Sequence, residues 1–340
     1  MTVNIISTQV NRNSITGPKK VLENTLKGFD KLNIKYVFNQ PINKYKFNWI
    51  HDSQEAIIEA GFVGKPVLVG PNTAVLPKDL PIFRKQLPTG SIYLHPSKWT
   101  IDLWSYLGYS ETKLNSWPVG IDITEFNFSE KKVSNKVLLY FKQRDLIILD
   151  KVKEILKKLG LEYVLIHYGF YEELVYKKAL KECKIGIWIG CSESQGIGLQ
   201  EALATNLPLI VIDSESIHDA IMTDSKKYFG YSFREKLTVI KTTSAPYFDK
   251  RCGIIINSTD YLTESITTML SNIKNYKPRE YIEETLTLEK SANSLIVFFN
   301  QMGIKDNKSY NYQKVSKVLF YLGLLFQKWA WKWIWRKFIR

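Results

Sequence analysis

Two glutamates on either side of a glycine-bearing loop are the residues of this sequence with the clearest chemical potential. Glu193 and Glu201 lie within residues 185–213, IGIWIGCSESQGIGLQEALATNLPLIVID, a pattern that predicts a strand, a polar loop, a short helix and a second strand. A carboxylate has two acceptor oxygens and can therefore hold the vicinal diol of a ribose or a sugar ring. Gly196 and Gly198 allow the backbone to approach a ligand closely, and the helix N-terminus offers free N–H groups to a phosphate. This loop and helix could thus bind sugar, diphosphate and ribose together.

A plainer interpretation of the same pair is structural. Glu201 would then be an acid placed favourably near the start of a helix, and Glu193 a solvated loop residue. The spacing by itself favours this interpretation, so the surrounding sequence has to decide between the two.

Length and composition limit the other possibilities. With 340 residues, 45% of them hydrophobic and 13% aromatic, the chain is long enough for about two domains and is not largely disordered. Its cysteines are few, odd in number and without a CxxC pair, which argues against a disulfide scaffold or a structural zinc site: Cys183, Cys191 and Cys252. The four scattered histidines form no HExxH motif and no close pair, so no metal site is expected.

Short β-rich runs alternate with helical patterns along both halves of the chain, which predicts parallel α/β sheets. A polar stretch at about 126–136 is a candidate linker between the halves. We expect a helix closed by Gly61 and one long helix over 281–302. Two Rossmann-like halves would enclose a cleft, with ligands beyond the carboxyl ends of the strands. The loops expected at this cleft are 9–18, 51–52, 142–145, 167–171 and 191–198.

The sequence around the glutamate pair resembles that of a known family. ESQGIGLQEALATNLPLIV resembles the E-x7-E signature of retaining glycosyltransferases of the GT-B fold, particularly family four. ITGPKKVLENTLKGFDKLNIKY is similar to the family's opening loop and helix, and SKWTIDLWSYLGYSETKLNSWPVGIDITEF is similar to its run into the interdomain linker. The three segments lie in the order that the family requires and cover about residues 1–210.

The resemblance implies an α/β architecture of the GT-B type, in which two Rossmann-like domains face each other across a cleft. Residues 1–130 would form the N-terminal, acceptor-side domain, and residues 131–280 the C-terminal, nucleotide-sugar domain. Residues 281–303 would form a return helix that packs on the N-terminal domain. A basic, tryptophan-rich amphipathic tail, residues 304–340, lies beyond the domains, and from residue 307 it is outside the resemblance.

Carried over position by position, the resemblance also implies roles for individual residues. Glu201 would hold the nucleotide ribose, and Glu193 would contact hydroxyls of the donor sugar at the catalytic centre. Lys142 and Arg144 would bind the diphosphate, although their run KQRD is more compact than the family pattern and both have a solvated-loop alternative. The loop that would line sugar and diphosphate is Ser194, Gln195, Gly196, Ile197, Gly198 and Leu199.

Three further residues are candidates for the same cleft. Gly17 would bring backbone N–H groups to the diphosphate, or it is a plain turn glycine beside a proline. His51 would approach the reactive face of the sugar as a catalytic residue, or it is a structural histidine. Tyr168 would contact the nucleotide base.

The implied reaction is transfer of a sugar from a nucleotide-diphosphate donor to a glycan, lipid-linked or protein-linked acceptor, with retention of anomeric configuration. Lys142, Arg144 and the helix N-terminus would stabilise charge on the leaving diphosphate, so neither a metal nor another cofactor is expected. Two alternatives remain open. One is a nucleotide-sugar epimerase of the same fold, and the other is a non-catalytic, membrane-associated sugar-binding protein.

The C-terminal tail carries much of the net charge of +14, with eight basic and no acidic residues from position 307 onward. Nucleic-acid binding by the whole protein is therefore not expected. A basic stripe on an aromatic helix is typical of an interfacial membrane helix, although the tail could also dock on the protein's own surface or bind nucleic acid. The expected membrane-contact residues are Lys328, Trp329, Trp331, Lys332, Trp333, Trp335, Arg336 and Arg340. No signal peptide and no apolar run of membrane-spanning length is apparent, so we expect a cytoplasmic protein at an anionic membrane surface.

Overall fold

The structure, a computed structural model, describes residues 1–12, 16–73, 87–106, 113–128, 135–216 and 240–302. Within these ranges the chain forms two parallel β-sheets, one of six strands and one of five. Each sheet has an apolar core on both faces, because successive strand residues point to opposite sides. This double burial explains why the strands read as nearly continuous apolar runs.

The first sheet has the strand order β2-β1-β3-β4-β5-β6, and all of its neighbouring pairs are parallel. Its strands are β1 (Thr2–Ile6), β2 (Lys35–Phe38), β3 (Phe47–Ile50), β4 (Leu68–Val69), β5 (Ile92–His95) and β6 (Lys113–Ser116). Helices α1 (Gly17–Lys31), α2 (Gln54–Val63) and α3 (Lys98–Tyr106) connect them. A short 3₁₀ turn, Ile42–Lys44, precedes β3.

The ends of the first two helices follow from local side-chain chemistry. Thr16 caps α1 by accepting a hydrogen bond from the Lys19 backbone N–H, and a proline occupies the first turn. Helix α2 runs through Gly61 and ends at Gly64, which has the left-handed backbone conformation (φ 69°) that glycine tolerates best. The expected stop at Gly61 was therefore wrong by about one turn.

The second sheet has the strand order β11-β10-β9-β7-β8, again with all neighbouring pairs parallel. Its strands are β7 (Lys136–Phe141), β8 (Glu162–His167), β9 (Ile185–Ile189), β10 (Leu209–Ile212) and β11 (Gly253–Ile256). Its helices are α4 (Leu146–Lys158), α5 (Glu173–Glu182), α6 (Ile197–Ala204) and α7 (Leu262–Ser271), with 3₁₀ turns at Thr259–Tyr261 and Ile273–Asn275.

The chain returns to the first sheet through two helices, α8 (Pro278–Thr285) and α9 (Leu288–Gln301). The sequence predicts one long helix here, but the helix breaks at Thr287, which bridges to Ile121 and caps α9 through its hydroxyl. Leu295 and Phe299 of α9 then pack into the same core as the first sheet. Helix α9 therefore covers the N-terminal domain.

All three cysteines are buried free thiols, as their number and spacing predict. No helix in the part of the chain that the structure describes is long and apolar enough to cross a membrane. The C-terminal tail, and with it every predicted membrane-contact residue from Lys328 to Arg340, lies outside the described residues.

Candidate functional site

A cleft of about 790 Å³ lies between the two domains. Its first-domain wall includes the N-terminus of α1, Asn72 after β4, and Pro96 after β5. The second-domain wall includes the end of β7, the segment that follows β8, and the loop that leads into α6. These are ends of parallel strands and starts of helices, where α/β folds place ligands.

Glu201 lies on α6 with only 4% of its side chain exposed. Its Oε1 accepts a hydrogen bond from Lys20 Nζ of α1 at 2.7 Å, while its Oε2 is buried without a partner among the described residues. Lys20 also reaches Glu173 at 3.0 Å. Burial raises the pKa of Glu201 to about 7, although Lys20 favours the charged form.

The same lysine ties the two domains together by charge. Burial opposes protonation of Lys20, but Glu201 and Glu173 outweigh it and raise its pKa. Lys20 therefore stays charged, and it spans the cleft from the first domain to two carboxylates of the second.

Glu193 lies at the other end of the same loop and is also buried. Lys142 Nζ, at the end of β7, contacts both of its carboxylate oxygens at 2.8 Å and lies 4.4 Å from the centre of the Tyr168 ring. Burial opposes the charge on Lys142, but Glu193 outweighs it and raises the lysine pKa. The Glu193 backbone is fixed as well, because its carbonyl accepts from Trp99 Nε1 at 2.8 Å.

The loop between the two glutamates lines the cleft as the sequence predicts, from Ser194 to Leu199. Gly196 caps α6 with φ 81°, a conformation that a side chain disfavours. Gln195 has a second role, because its amide exchanges hydrogen bonds with both the N–H and the carbonyl of Val119. The N-termini of α1 and α6 thus meet the same cleft from opposite domains.

Gly17 and Tyr168 also line the cleft. Apart from its chain neighbours and the backbone of its own helix, no heavy atom of the described residues lies within 4 Å of a Cβ built on Gly17. The Tyr168 side chain is 42% exposed at the mouth of the cleft, next to Lys142. Both residues lie where the sequence predicts them.

Arg144 is not part of this cleft. Its guanidinium is buried and donates to the carbonyl oxygens of Gly190 at 2.9 Å and Asp213 at 3.1 Å. These carbonyls follow β9 and β10, so Arg144 supports the loops behind the cleft wall. The structure does not bring it beside Lys142 as a diphosphate clamp, because KQRD turns sharply at Gln143 (φ 49°).

His51 does not reach the cleft surface either. Its ring is completely buried, with Nδ1 3.0 Å from Ser7 Oγ and Nε2 2.7 Å from Asn72 Nδ2. The His51 ring therefore cannot contact a sugar directly in this structure, contrary to the role that the sequence predicts for it. Asn72, which lines the cleft, stands between His51 and any ligand.

Sequence reasoning missed several cleft residues, notably Lys20, Asn72, Glu173 and the stacked rings of Tyr140 and Trp188. The two rings lie 3.7 Å apart and nearly parallel, below the start of α6. Lys20 follows another lysine in the first turn of an amphipathic helix, where a solvated role is the ordinary expectation. The one signal in the sequence that indicates Lys20 as a cleft residue is its position in the helix that follows the predicted Gly17 loop.

The described residues contain no group of three or more His, Cys, Asp or Glu side chains arranged to hold a metal ion. Metal independence of the reaction stays a prediction.

Comparison with solved structures identifies the fold. A lipopolysaccharide outer core galactosyltransferase, WaaB, aligns with a TM-score of 0.52 at 11% identity, covering 87% of this chain and 99% of its own. The sucrose-phosphate synthase from Thermosynechococcus elongatus aligns with a TM-score of 0.53 at 9% identity, covering 88% and 98%. The chain has the GT-B fold.

A UDP-N-acetylglucosamine 2-epimerase described for Listeria monocytogenes also aligns, with a TM-score of 0.48 at 10% identity over 87% of this chain and 94% of its own. No protein-family model matches the chain. No curated protein matches it.

Proposed function

We propose that this protein is a retaining glycosyltransferase that moves a sugar from a nucleotide-diphosphate donor to a glycan, lipid-linked or protein-linked acceptor. One observation carries the proposal: a single loop and helix presents Glu193 and Glu201 to a cleft that helix N-termini enter from both domains. The GT-B fold and the sequence resemblance around the glutamate pair support it.

The donor's ribose would bind at Glu201. The Oε2 of this residue has no hydrogen-bond donor among the described residues, and leaving such a buried atom unpaired is unfavourable. A small shift of the side chains around it would let a ribose hydroxyl reach this acceptor. Because Lys20 holds Oε1, the carboxylate presents Oε2 in a fixed direction. Ribose binding would therefore complete a hydrogen-bonding arrangement that is already half formed.

The diphosphate would lie near the N-termini of α1 and α6, where unpaired N–H groups and the helix dipoles favour negative charge. Lys142 is a cation that lines the same cleft, as is Lys20 in the first turn of α1. In the transfer step the bond from the anomeric carbon to the phosphate oxygen breaks, and the acceptor oxygen bonds to the same face of that carbon. The acceptor proton passes to the departing diphosphate. Lys142 and the helix N-termini would stabilise the charge that develops there.

A donor screen tests this proposal. The purified protein is incubated with UDP-glucose, UDP-galactose, UDP-N-acetylglucosamine, GDP-mannose or TDP-glucose, and release of the nucleoside diphosphate is measured with and without EDTA. We expect release from one donor, insensitive to EDTA and lost in Glu201→Ala. Glu162→Ala, at an exposed position of β8, is the matched control.

The outcomes separate the alternatives. Conversion of the donor to another nucleotide sugar without acceptor would identify an epimerase. Absence of both nucleotide release and nucleotide-induced thermal stabilisation would overturn the enzyme proposal. Retention is tested by NMR of the product, because the coupling constant of the anomeric proton reports its configuration.

Peripheral membrane contact through the C-terminal tail is a separate proposal, supported by its sequence alone. Eight basic residues and four tryptophans from position 307 onward favour an anionic interface. The full chain should cosediment with phosphatidylglycerol vesicles and not with phosphatidylcholine vesicles, and a chain ending at residue 303 should bind neither. Equal binding of both chains would contradict the proposal.

A further inference from the structure

We propose that Asn72 recognises a sugar hydroxyl in this cleft, and that the buried His51 is the residue that positions it. The inference rests on the proposed function for the identity of the ligand. It follows from three neighbouring side chains, Asp52, His51 and Asn72, of which His51 is completely buried and Asn72 lines the cleft.

The first step is the separation of His51 from solvent. The ring is completely buried and packs edge-on against Trp49, with centroids 5.2 Å apart. It therefore cannot touch a ligand in this structure. Its Nε2 lies 2.7 Å from Asn72 Nδ2, so its influence on the cleft passes through that amide.

The second step is the proton position on the ring. Asp52 lies with Oδ1 3.7 Å from His51 Nδ1, and its carboxylate accepts hydrogen bonds from Thr8 and Gln9. Burial opposes the charge on Asp52, but its contacts with His51, Thr8 and Gln9 outweigh it and hold the pKa of the carboxyl below its ordinary value. The atom nearest to Nδ1 is Ser7 Oγ at 3.0 Å, which can accept from an Nδ1–H, and the negative charge of Asp52 favours the tautomer protonated there. Nε2 then accepts a hydrogen bond. Of the two ends of the Asn72 amide, only the NH₂ group can donate it.

The third step concerns the other end of the amide. With Nδ2 fixed to His51, no described residue donates a hydrogen bond to the Oδ1 of Asn72, which is half-buried where it lines the cleft. Asn72 lines the cleft on the first-domain wall, opposite the domain of Glu193 and Glu201. The cleft therefore receives an oriented carbonyl oxygen.

The chemistry of a carbonyl oxygen limits what it can bind. It accepts a hydrogen bond from a hydroxyl but repels a phosphate oxygen, which has no proton to give at neutral pH. Asn72 is thus suited to a sugar and not to the diphosphate. A donor sugar and an acceptor glycan share this chemistry, and binding measurements distinguish them.

Calorimetry on the full chain provides the test. The probes are the nucleotide sugars of the donor screen and their parent nucleotides UDP, GDP and TDP. For Asn72→Ala we expect the Kd of the parent nucleotide to remain within about twofold and the Kd of the nucleotide sugar to rise by up to about tenfold, the effect of losing one hydrogen bond. If the nucleotide-sugar Kd is unchanged but KM for methyl glucoside or methyl galactoside as acceptor rises equally, the hydroxyl belongs to the acceptor.

A double-mutant cycle tests the positioning role of His51. His51→Phe should weaken sugar binding as Asn72→Ala does, and it should add nothing in the Asn72→Ala background. His51→Gln, which can still accept from the amide through its side-chain oxygen, should restore most of the affinity. Thermal denaturation of each variant identifies loss of folding, and the Gln variant keeps the test valid if the Phe variant does not fold.

Three results would overturn the inference. They are an Asn72→Ala variant with unchanged nucleotide-sugar Kd and acceptor KM, a nucleotide Kd that rises as much as the nucleotide-sugar Kd, and an additive effect of His51→Phe. Failure of the proposed function is recognisable separately, because the wild-type chain would then bind neither the nucleotides nor the nucleotide sugars, and the inference would fall with it.

Discussion

At the scale of single residues, side chains close together in the sequence make different kinds of contact. Lys142 contacts a cleft carboxylate, whereas Arg144, two residues later, is turned into the protein and holds two backbone carbonyls. Glu193 and Glu201 also differ in this way. They lie at the two ends of one loop-and-helix segment, but they pair with lysines from different domains. Charge type alone therefore does not identify a cleft residue here.

Substitution of the two cations should separate ligand binding from stability. Lys142→Met should raise the Kd of the active nucleotide about tenfold or more, since it removes the cation and leaves the Glu193 charge facing the diphosphate. Arg144→Met should instead reduce the free energy of unfolding by about 2 kcal/mol, because the Asp213 carbonyl loses its donor and the Gly190 carbonyl keeps only the Ser244 hydroxyl. Calorimetry and urea denaturation measure the two effects. A nucleotide Kd equally impaired in Arg144→Met would contradict this division.

His95 should make the protein sensitive to acid. Burial lowers the pKa of its ring to about 3, against 6.5 when exposed. Because this pKa is lower in the folded than in the unfolded state, the contribution of His95 to the free energy of unfolding is fully present above pH 6.5. Below that pH the free energy of unfolding falls, since the unfolded chain takes up a proton that the folded chain does not. Because Tyr93 and Trp104 surround the ring with aromatic contacts, His95→Phe should keep the packing and lose this dependence.

The expected result is a pH-dependent difference between His95→Phe and the wild-type chain. The free energy of unfolding of the variant minus that of the wild-type chain should be about 2 kcal/mol larger near pH 5 than near pH 8, because each pKa unit corresponds to about 1.36 kcal/mol. Urea denaturation at several pH values measures it. A constant difference from pH 8 to pH 5 would show that His95 is not held neutral in the fold.

At the scale of elements, the contact between α1 and α9 closes the first domain. Gly28 of α1 lies against α9, and a Cβ built there would lie 2.6 Å from the Leu288 carbonyl oxygen and 3.0 Å from Ala292 Cβ. Gly120 makes a similar approach to Thr287. The packing of α9 on the first domain thus depends on glycines, which have no side chain to hold the backbones apart.

Gly28→Ala should therefore destabilise the protein although alanine is the better helix former. Forcing the two backbones apart should cost about 2 kcal/mol, more than the gain in helix propensity of about 1 kcal/mol. Gly17→Ala is the matched control in the same helix, because its Cβ would meet no atom of another described element within 4 Å. Urea denaturation should show a lowered midpoint for Gly28→Ala only, and equal midpoints would mean that α9 adjusts freely.

At the scale of the whole molecule, several side-chain hydrogen bonds join the two domains in the part of the chain that the structure describes. Lys20 reaches Glu201, Trp99 reaches the Glu193 carbonyl, and Gln195 exchanges hydrogen bonds with the backbone of Val119, just before the linker. All three of these bonds involve residues of the proposed donor site, namely Glu201, Glu193 and Gln195. We therefore expect donor binding at this site to be coupled to the relative position of the domains.

The Lys20–Glu201 pair provides the sharpest measure of this coupling. Lys20→Met leaves Glu201 buried without its closest cation, and this should cost up to about 3 kcal/mol, because the carboxyl, whose pKa burial already raises to about 7, avoids part of the penalty by taking up a proton. Adding Glu201→Gln removes the isolated charge, so the double variant should recover much of the lost stability. Urea denaturation of the four proteins gives the coupling free energy, and simple additivity would show that the pair contributes nothing across the cleft.

Much of this molecule follows from local pattern. The alternation of apolar strands and amphipathic helices indicates two parallel sheets, and the structure confirms them. The Glu193–Glu201 loop also lies at the cleft as expected, since a strand, a glycine turn and a helix are defined by neighbours along the chain. Periodicity and turn chemistry act over a few residues, so they can be recognised without knowing the fold.

Only the tertiary structure decided which side chains meet. Lys20 and Glu201 are 181 positions apart, and no local signal records that α1 carries the counter-ion of a carboxylate in the other domain. The same reason explains the burial of His51 behind Asn72 and the inward turn of Arg144. Side-chain partners depend on how distant elements pack, because a hydrogen bond or an ion pair is set by position in space and not by separation along the chain.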